Sequence, residues 1–290
     1  MKPVIQATNL NKFYAKQQVL SGVNFTAQSG EIIGVVGTNG AGKSTLLKSL
    51  LGLTRVEGDI EVCGLNPREA HDKLMEKVSF IADTATLPKW ITAAQLFEYT
   101  AATHPNFNLE LAEAFLAKTK IKANQKVKTM SKGMVTQLHL ALVIAIDSEL
   151  LVLDEPTIGL DVIRRKSFYN SLLEDYFDDN NTIIITTHQI EEVENILTRA
   201  VFIDDGKIVL DMNIEDIPQR FAQIKVQPAC QPQLEALKPI YQTKAIDGLV
   251  YFFDGFNPEQ LTEFGEYKTP SLSDIFVALL EKQAVEVNHV

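Results

Sequence analysis

The sequence predicts an α/β fold built around a buried β-sheet, and three stretches carry that prediction. The apolar run at 31–36, EIIGVV, is typical of a buried strand, and a glycine-rich loop and a helical pattern follow it at once. The runs at 149–154, ELLVLD, and at 182–188, TIIITTH, have the same character, and a helix is predicted between them at about 161–178. Buried strands that alternate with helices are typical of a parallel sheet.

Further strands and one helix are expected around the glycine-rich loop. Partial alternation and turn residues predict short strands within 4–36, a hairpin at 56–65 and a strand at 77–82. The stretch STLLKSLLGL has helical spacing and places four leucines on its inner face. These are Leu46, Leu47, Leu50 and Leu51.

A helical region is expected between about residues 90 and 147. Thr92 and Gln95 have the spacing of a capping box ahead of AAQLFEYTAAT, and LELAEAFLAKT places apolar residues on one face. The stretch GMVTQLHLALVIAI is apolar nearly all round, which predicts a buried helix. After His188 we expect one more helix and then a short hairpin in AVFIDDGKIVLD.

The composition changes near residue 217, which predicts two units, 1–216 and 217–290. Six of the eleven prolines lie in the second unit. There, YQTKAI and LVYFFD predict a hairpin closed by Asp247-Gly248, and SLSDIFVALLEK predicts a helix with Ser271 as its N-cap. The second unit is thus expected to be a small α+β C-terminal extension.

Charge and composition narrow the function. The 290 residues carry a formal charge of −10, and an acidic surface repels both phosphate backbones and anionic lipids, so nucleic acid is not expected as a partner. No apolar run approaches the roughly 20 residues of a membrane span, so direct membrane insertion is not expected. The N-terminus lacks the apolar core of a secretion signal, and Cys63 and Cys230 match no metal-ligand spacing. These features favour a cytoplasmic protein that another protein would hold at any membrane.

The glycine-rich loop, GTNGAGKST, fits the phosphate-binding pattern G-x-x-x-x-G-K-[ST] in its required position between a strand and a helix. Phosphates need several backbone N–H groups aimed at one point, and glycine allows that close approach. The lysine supplies a point charge for phosphates, and the serine can hold Mg²⁺. The candidate nucleotide-binding residues are Gly37, Thr38, Asn39, Gly40, Ala41, Gly42, Lys43, Ser44 and Thr45.

Acidic residues and a histidine follow two of the buried strands. Asp154 and Glu155 lie at the carboxyl edge of the sheet, where open α/β sheets bind ligands. Asp154 suits Mg²⁺, and Glu155 suits a general base or a group that orients water. His188 ends the next strand and is expected to contact a γ-phosphate or that water, whereas the four remaining histidines are interpreted as structural or surface groups.

The order of these motifs resembles the ATP-binding subunits of ABC transporters over about residues 4–215. GTNGAGKST is similar to the Walker A loop of that family, and LLVLDEP to its Walker B strand with the catalytic glutamate. Tyr14 stands where the family has an aromatic that stacks on adenine, and His188 stands at its switch histidine. MSKGM stands at the signature, with Ser131 and Gly133 as its nucleotide contacts, and Asp161 stands in the D-loop.

Three positions depart from the family pattern. Lys132 replaces the first signature glycine and Met134 replaces the glutamine, as in ATPases that pair with a separately encoded export permease. Asp83 stands at the Q-loop glutamine, and an acid there can reach Mg²⁺ or a water.

The resemblance implies a P-loop NTPase with a RecA-like core, an antiparallel β subdomain and a helical subdomain. It also implies ATP and Mg²⁺ as cofactors and a homodimer in which two subunits enclose two ATPs, each site using the signature of the other chain. The partner would be an integral membrane permease, the location the inner face of the cell membrane, and the direction of transport export. The closing helix SLSDIFVALLEK resembles that of such export subunits. The resemblance assigns no role to residues 217–268, for which a small stabilising or dimer-supporting extension is favoured over a ligand sensor.

Two other functions stay open at this point. One is a soluble ABC ATPase that acts on ribosomes, DNA or an assembly scaffold, although the chain has one ATPase cassette and an acidic charge. The other is a module that binds ATP without hydrolysing it, which the presence of Glu155 and His188 disfavours. The transported substrate is not predicted by any motif.

Overall fold

The computed structural model describes residues 3–82, 87–226, 231–246 and 248–287. Its strands are β1 (Ile5–Tyr14), β2 (Gln17–Ala27), β3 (Ile32–Val36), β4 (Glu57–Val62), β5 (Val78–Ile81), β6 (Leu150–Asp154), β7 (Thr182–Thr187), β8 (Arg199–Asp204), β9 (Lys207–Asn213), β10 (Phe221–Val226), β11 (Tyr241–Ala245), β12 (Gly248–Asp254) and β13 (Tyr267–Lys268). Its α-helices are α1 (Lys43–Leu50), α2 (His71–Met75), α3 (Ala93–Thr103), α4 (Leu109–Ala117), α5 (Lys132–Ile144), α6 (Val162–Asp175), α7 (Ile217–Arg220), α8 (Gln231–Glu235), α9 (Pro258–Thr262) and α10 (Leu272–Val287).

The central sheet has the strand order β5-β6-β7-β3-β8-β9, and all of its pairings are parallel except that of β8 with β9. Every residue of β3, β6 and β7 is buried, as the apolar runs predicted. In the register, Asp154 lies beside Thr186, and Val36 lies beside Thr187. The carboxyl ends of these three strands therefore meet at one edge, immediately before the glycine-rich loop. This confirms the predicted α/β class.

A smaller antiparallel sheet, β2-β1-β4, packs with α1 over one face of the central sheet. The four predicted inner leucines of α1 and its C-cap are all buried. The hairpin predicted at 56–65 is wrong, because β4 pairs with β1 in a register that sets Val62 opposite Ile5. Pairing with the long strand β1 buries Val62, whereas residues 63–65 form only a tight turn closed by a Val62–Leu65 bridge.

The helical region contains α3, α4 and α5, and the capping box of Thr92 with Gln95 is confirmed. The helix expected over GMVTQLHLALVIAI begins one residue earlier, at Lys132, because the Ser131 hydroxyl accepts the Met134 N–H (3.3 Å) and caps it there. From Gly133 to its end, α5 has no exposed residue, which confirms the buried helix. Among the described residues, no helix is long and apolar enough to cross a membrane.

Burial of His139 within α5 makes a prediction about acid stability. Loss of hydration lowers the pKa of this imidazole from 6.5 to about 4. Between pH 6.5 and about 4 the unfolded chain therefore binds the proton and the folded chain does not, so stability falls as the pH falls through this window. We expect His139→Gln to remove up to about 3 kcal/mol of that pH dependence. Thermal melting from pH 8 to pH 4 measures it, and parallel curves for the two proteins would contradict it.

The segment between β7 and β8 differs from the prediction. Two 3-10 turns, Ile190–Glu192 and Glu194–Ile196, replace the expected α-helix. The Val193 N–H bonds to the Ile190 carbonyl three residues back, and the Ile196 N–H bonds to the Val193 carbonyl in the same way. The 3-10 geometry repeats every three residues, which sets Ile190 and Val193 on one side, and both are buried in the core. The hairpin that follows, β8 with β9, is confirmed.

Beyond residue 216 the structure has a second antiparallel sheet with the order β11-β12-β10-β13. This sheet has its own buried cluster, which includes Ile224, Tyr251 and Phe253. The β11–β12 hairpin is confirmed, although Asp247 lies outside the described residues. Ser271 caps α10, whose buried side chains join the core of the central sheet, and the division after residue 216 stays a prediction.

Candidate functional site

The loop between β3 and α1 has a backbone that depends on glycine. Gly40 and Gly42 have φ angles of 88° and 110°, which side chains disfavour. A Cβ on Gly37 would lie 2.4 Å from the Ile203 carbonyl oxygen, and one on Gly42 would lie 2.9 Å from that of Val19. Gly42 is the N-cap of α1 and provides no side-chain cap, so the first N–H groups of the helix face the loop. The loop therefore has the cradle that phosphate oxygens require.

Lys43 lies inside this loop. Its side chain is only 6% exposed, and its ammonium donates to the carbonyl oxygens of Gly37 (2.8 Å) and Thr38 (3.2 Å). The same ammonium lies 3.5 Å from a carboxylate oxygen of Glu155. The loop thus holds one buried positive charge beside the acidic edge of the sheet.

Asp154 ends β6 and is fully buried. Its Oδ1 accepts hydrogen bonds from Ser44 Oγ (3.0 Å) and Thr186 Oγ1 (2.6 Å). Its Oδ2 is also buried and has no hydrogen-bond partner among the described residues. A buried carboxylate oxygen without a partner, next to a hydroxyl, is a donor set that suits a hard divalent cation such as Mg²⁺. Ser44 and Asp154 therefore lie together as the sequence predicted.

Glu155 lies between a lysine and a histidine. Its side chain is 13% exposed, and Nδ1 of His188 lies 2.9 Å from its Oε2. Its φ angle is 50°, a strained conformation for a residue with a side chain, and the Thr186 hydroxyl and carbonyl accept its N–H. The backbone is thus held so that the carboxylate faces Lys43 on one side and His188 on the other.

Most of these groups line one cleft of about 500 Å³, whereas Asp154 is buried and reaches it only through its contact with Ser44. Tyr14 lies at its rim, 47% exposed, with the Lys12 ammonium 4.6 Å from the centre of its ring. The predicted residues in the lining are Tyr14, Asn39, Gly40, Gly42, Lys43, Ser44, Thr45, Glu155 and His188. Gly37, Thr38 and Ala41 shape the loop without lining the cleft, and sequence reasoning missed Gln17, Val19 and Ile158 in the lining and Thr186 beneath it.

The structure places the signature residues away from this cleft. Ser131 and Gly133 line a separate groove of about 430 Å³ between α4, α5 and α6. Asp161 caps α6 through the Arg164 N–H (3.0 Å) and pairs with the guanidinium of the same residue at 3.3 Å. Within one chain, therefore, these three predicted residues do not meet the phosphate loop. Asp83 lies outside the described residues, so its assignment stays a prediction.

Two basic side chains, Lys132 and Arg164, make contacts between the segments 130–134 and 159–164. A Cβ on Gly133 would lie 2.8 Å from the Arg164 guanidinium, and one on Gly159 would lie 2.4 Å from the Lys132 ammonium. Lys132 on α5 thus lies against the segment GLD (159–161), which contains Asp161, and Arg164 on α6 lies against the segment MSKGM (130–134). The contact of Lys132 depends on a side chain at a position where the resemblance implied glycine.

A strand, a phosphate loop and an acidic sheet edge define a P-loop nucleotide-binding protein. The family model described as ABC transporter matches residues 20–158. The SkfA peptide export ATP-binding protein SkfE of Bacillus subtilis is 31% identical over 75% of this chain and 92% of its own length. The Nod factor export ATP-binding protein I of Burkholderia lata is 34% identical over 71% and 70%. The chain therefore belongs to the ATP-binding proteins of ABC transporters.

A solved structure supports the fold independently. The structure of an ATP-binding subunit of an ABC transporter superposes with a TM-score of 0.67 at 23% identity, over 74% of this chain and 91% of that one. From the family, the chain is an ATPase subunit that binds ATP and powers ABC transport. ATP-binding subunits of this family work with membrane components and dimerise.

Proposed function

We propose that the chain binds Mg²⁺-ATP in the cleft of β3, β6 and β7, closes as a homodimer over two nucleotides and drives export through its permease. One observation carries the proposal. Lys43, Glu155 and His188 form a continuous row of contacts beside Ser44 and Asp154, at the edge where the phosphate loop begins. A phosphate held by the loop therefore lies next to a cation, a carboxylate and an imidazole.

Each group in the row has a distinct task. Lys43 exchanges its loop carbonyls for the β- and γ-phosphate oxygens. Ser44 and Asp154 hold the cation, which neutralises charge on the phosphates when it is bound. Glu155 accepts the proton of the attacking water, and His188 fixes the carboxylate through its Nδ1 and faces the γ-phosphate. Tyr14 stacks on the base at the rim of the cleft.

The signature groove completes the site of a second copy. Ser131 and the N–H groups at the start of α5 face outward from their own cleft, at the positive end of a 13-residue helix. Head-to-tail pairing of two chains brings them to the partner's γ-phosphate, with Asp161 alongside. Lys132 adds positive charge there, so its replacement of glycine does not weaken phosphate binding.

Export is the direction that the relatives favour. The SkfE and Nod factor proteins are both named for export. We therefore place this chain at the inner face of the cell membrane, where its permease holds it. An acidic surface, with a net charge of −10, would not bind anionic lipid by itself.

Ser131→Asp tests the paired site. Aspartate retains the N-cap of α5, so each chain should fold and bind ATP, but its charge repels the partner's triphosphate. In a Glu155→Gln background we expect ATP-dependent dimerisation to weaken at least about tenfold. The control is Asn108→Asp, which exchanges the N-cap of α4 in the same helical region. Sedimentation with and without ATP measures the dimer, and an undiminished dimer in Ser131→Asp would contradict the proposal.

A further inference from the structure

The closing helix α10 contacts the segment that follows the switch histidine. This segment, residues 189–197, is called the post-switch segment here. The backbone N–H of Leu272, the first residue of α10, donates to Oε1 of Glu194 at 3.0 Å. A carboxylate at the positive end of a 16-residue helix makes a charge-assisted contact.

Apolar packing extends the contact. Ile190, Val193 and Leu197 of the post-switch segment are buried in the same cluster as Leu272, Ile275 and Leu279 of α10. Phe276 of α10 also packs edge-on against Phe202 of β8, with ring centres 5.1 Å apart. α10 therefore covers the segment with a buried apolar face, in addition to the hydrogen bond at its start.

The other side of the post-switch segment is held from α6. Arg165 donates to the Gln189 side-chain oxygen (2.7 Å) and pairs with Glu192. Gln189 directly follows His188, and its N–H donates to the Thr187 hydroxyl at 2.9 Å. The chain that leaves His188 is thus fixed between two helices, α6 and α10.

We propose that α10 acts as a clamp that positions His188 against Glu155, with Glu194 as a positioning residue. The proposal rests on the function proposed above for His188. It gives the chain beyond residue 216 a task in hydrolysis, because α10 lies there and holds the post-switch segment. Displacement of α10 then loosens the imidazole and leaves the phosphate loop in place, because Ala41 and α1 pack in the core cluster on the opposite face of the central sheet from α10.

The test compares Glu194→Ala, Glu194→Gln and the control Glu191→Gln in the full chain. Glu191 is an exposed acid in the same segment. In the protein without nucleotide we expect amide exchange across 189–197 to rise about tenfold in Glu194→Ala. Glu194→Gln keeps an acceptor oxygen and should restore most of the protection, and Glu191→Gln should match the wild type.

Steady-state hydrolysis gives the second measurement. We expect Glu194→Ala to lower kcat about three- to tenfold and to leave KM for ATP within about twofold, because the loop that binds ATP is untouched. Phe276→Leu, which trims the apolar half of the clamp, should act in the same direction. His188→Ala is included so that the two proposals are tested separately.

Each result decides one of the claims. Unchanged exchange in both Glu194→Ala and Phe276→Leu overturns the clamp. If Glu194→Ala shows faster amide exchange but an unchanged kcat, while His188→Ala is inactive, the claim that the clamp positions His188 is overturned. If amide exchange is faster in Glu194→Ala but His188→Ala keeps full activity, the proposed role of His188 is overturned, and the clamp has no catalytic task. Faster exchange with a loss confined to kcat, rescued by glutamine, supports the inference.

Discussion

Replacement of Glu155 by Gln is expected to stop hydrolysis and trap the protein as an ATP-bound dimer. Glutamine keeps the shape of the side chain and a contact for His188, but it cannot accept a proton from water. Loss of a general base costs about 10²- to 10⁴-fold in rate, whereas the phosphate loop and Lys43 still bind ATP. Light scattering in ATP should show twice the monomer mass, and phosphate release should fall to background.

The control for this experiment lies at the other end of the same strand. Glu149 precedes β6 as Glu155 follows it, and it pairs with Lys77 at the surface. Glu149→Gln should hydrolyse ATP as the wild type does and should not accumulate as a dimer. A Glu155→Gln protein that stays monomeric in ATP would contradict the proposed enclosure of two nucleotides, and one that hydrolyses ATP normally would contradict the role of Glu155.

Lys43→Ala is expected to weaken ATP binding itself. The ammonium is the buried positive charge of the loop, and without it the nearby Glu155 carboxylate repels the phosphates. Removal of one partner from a buried charge contact costs about 2–5 kcal/mol, so we expect affinity for ATP to fall by about 30-fold to several thousand-fold. Titration calorimetry with Mg²⁺-ATP measures the loss directly.

Lys48→Ala is the matched control for Lys43→Ala. Lys48 lies on the same helix, in its last turn, and is not part of the cleft lining. Its removal should leave ATP affinity within about twofold, because it lies outside the cleft and its contribution to phosphate binding is screened. Equal losses in the two variants would show that general charge, and not the position of Lys43, accounts for binding.

Much of the fold and of the cleft follows from short-range pattern. β3, β6 and β7 each carry an apolar run because they are buried on both faces, and the loop after β3 has the glycines its backbone angles demand. Local pattern also predicts the caps at Thr92 and Ser271. The strands, the loop and the caps depend on residues only a few positions apart, so the sequence alone predicts them.

Other parts depend on register and packing between distant segments. Thr186 supports both Asp154 and Glu155 only because β6 and β7 pair in one particular register. The contact of Arg164 with Gly133 likewise requires α5 and α6 to cross at that point. The strand at 57–62 was mistaken for a hairpin because its partner, β1, lies about 50 residues earlier in the chain. Single-sequence reasoning has no access to these relations.

Coupling to a membrane partner is the central claim, and affinity purification from detergent-solubilised native membranes tests it most directly. The tagged full chain is captured, and its partners are identified and quantified by mass spectrometry. We expect a membrane protein with several spans at near-equal stoichiometry, recovered together with the chain. Recovery only from the soluble fraction, with ribosomal or DNA-associated proteins, would contradict the transport role and favour a soluble ABC ATPase that acts on a macromolecular assembly.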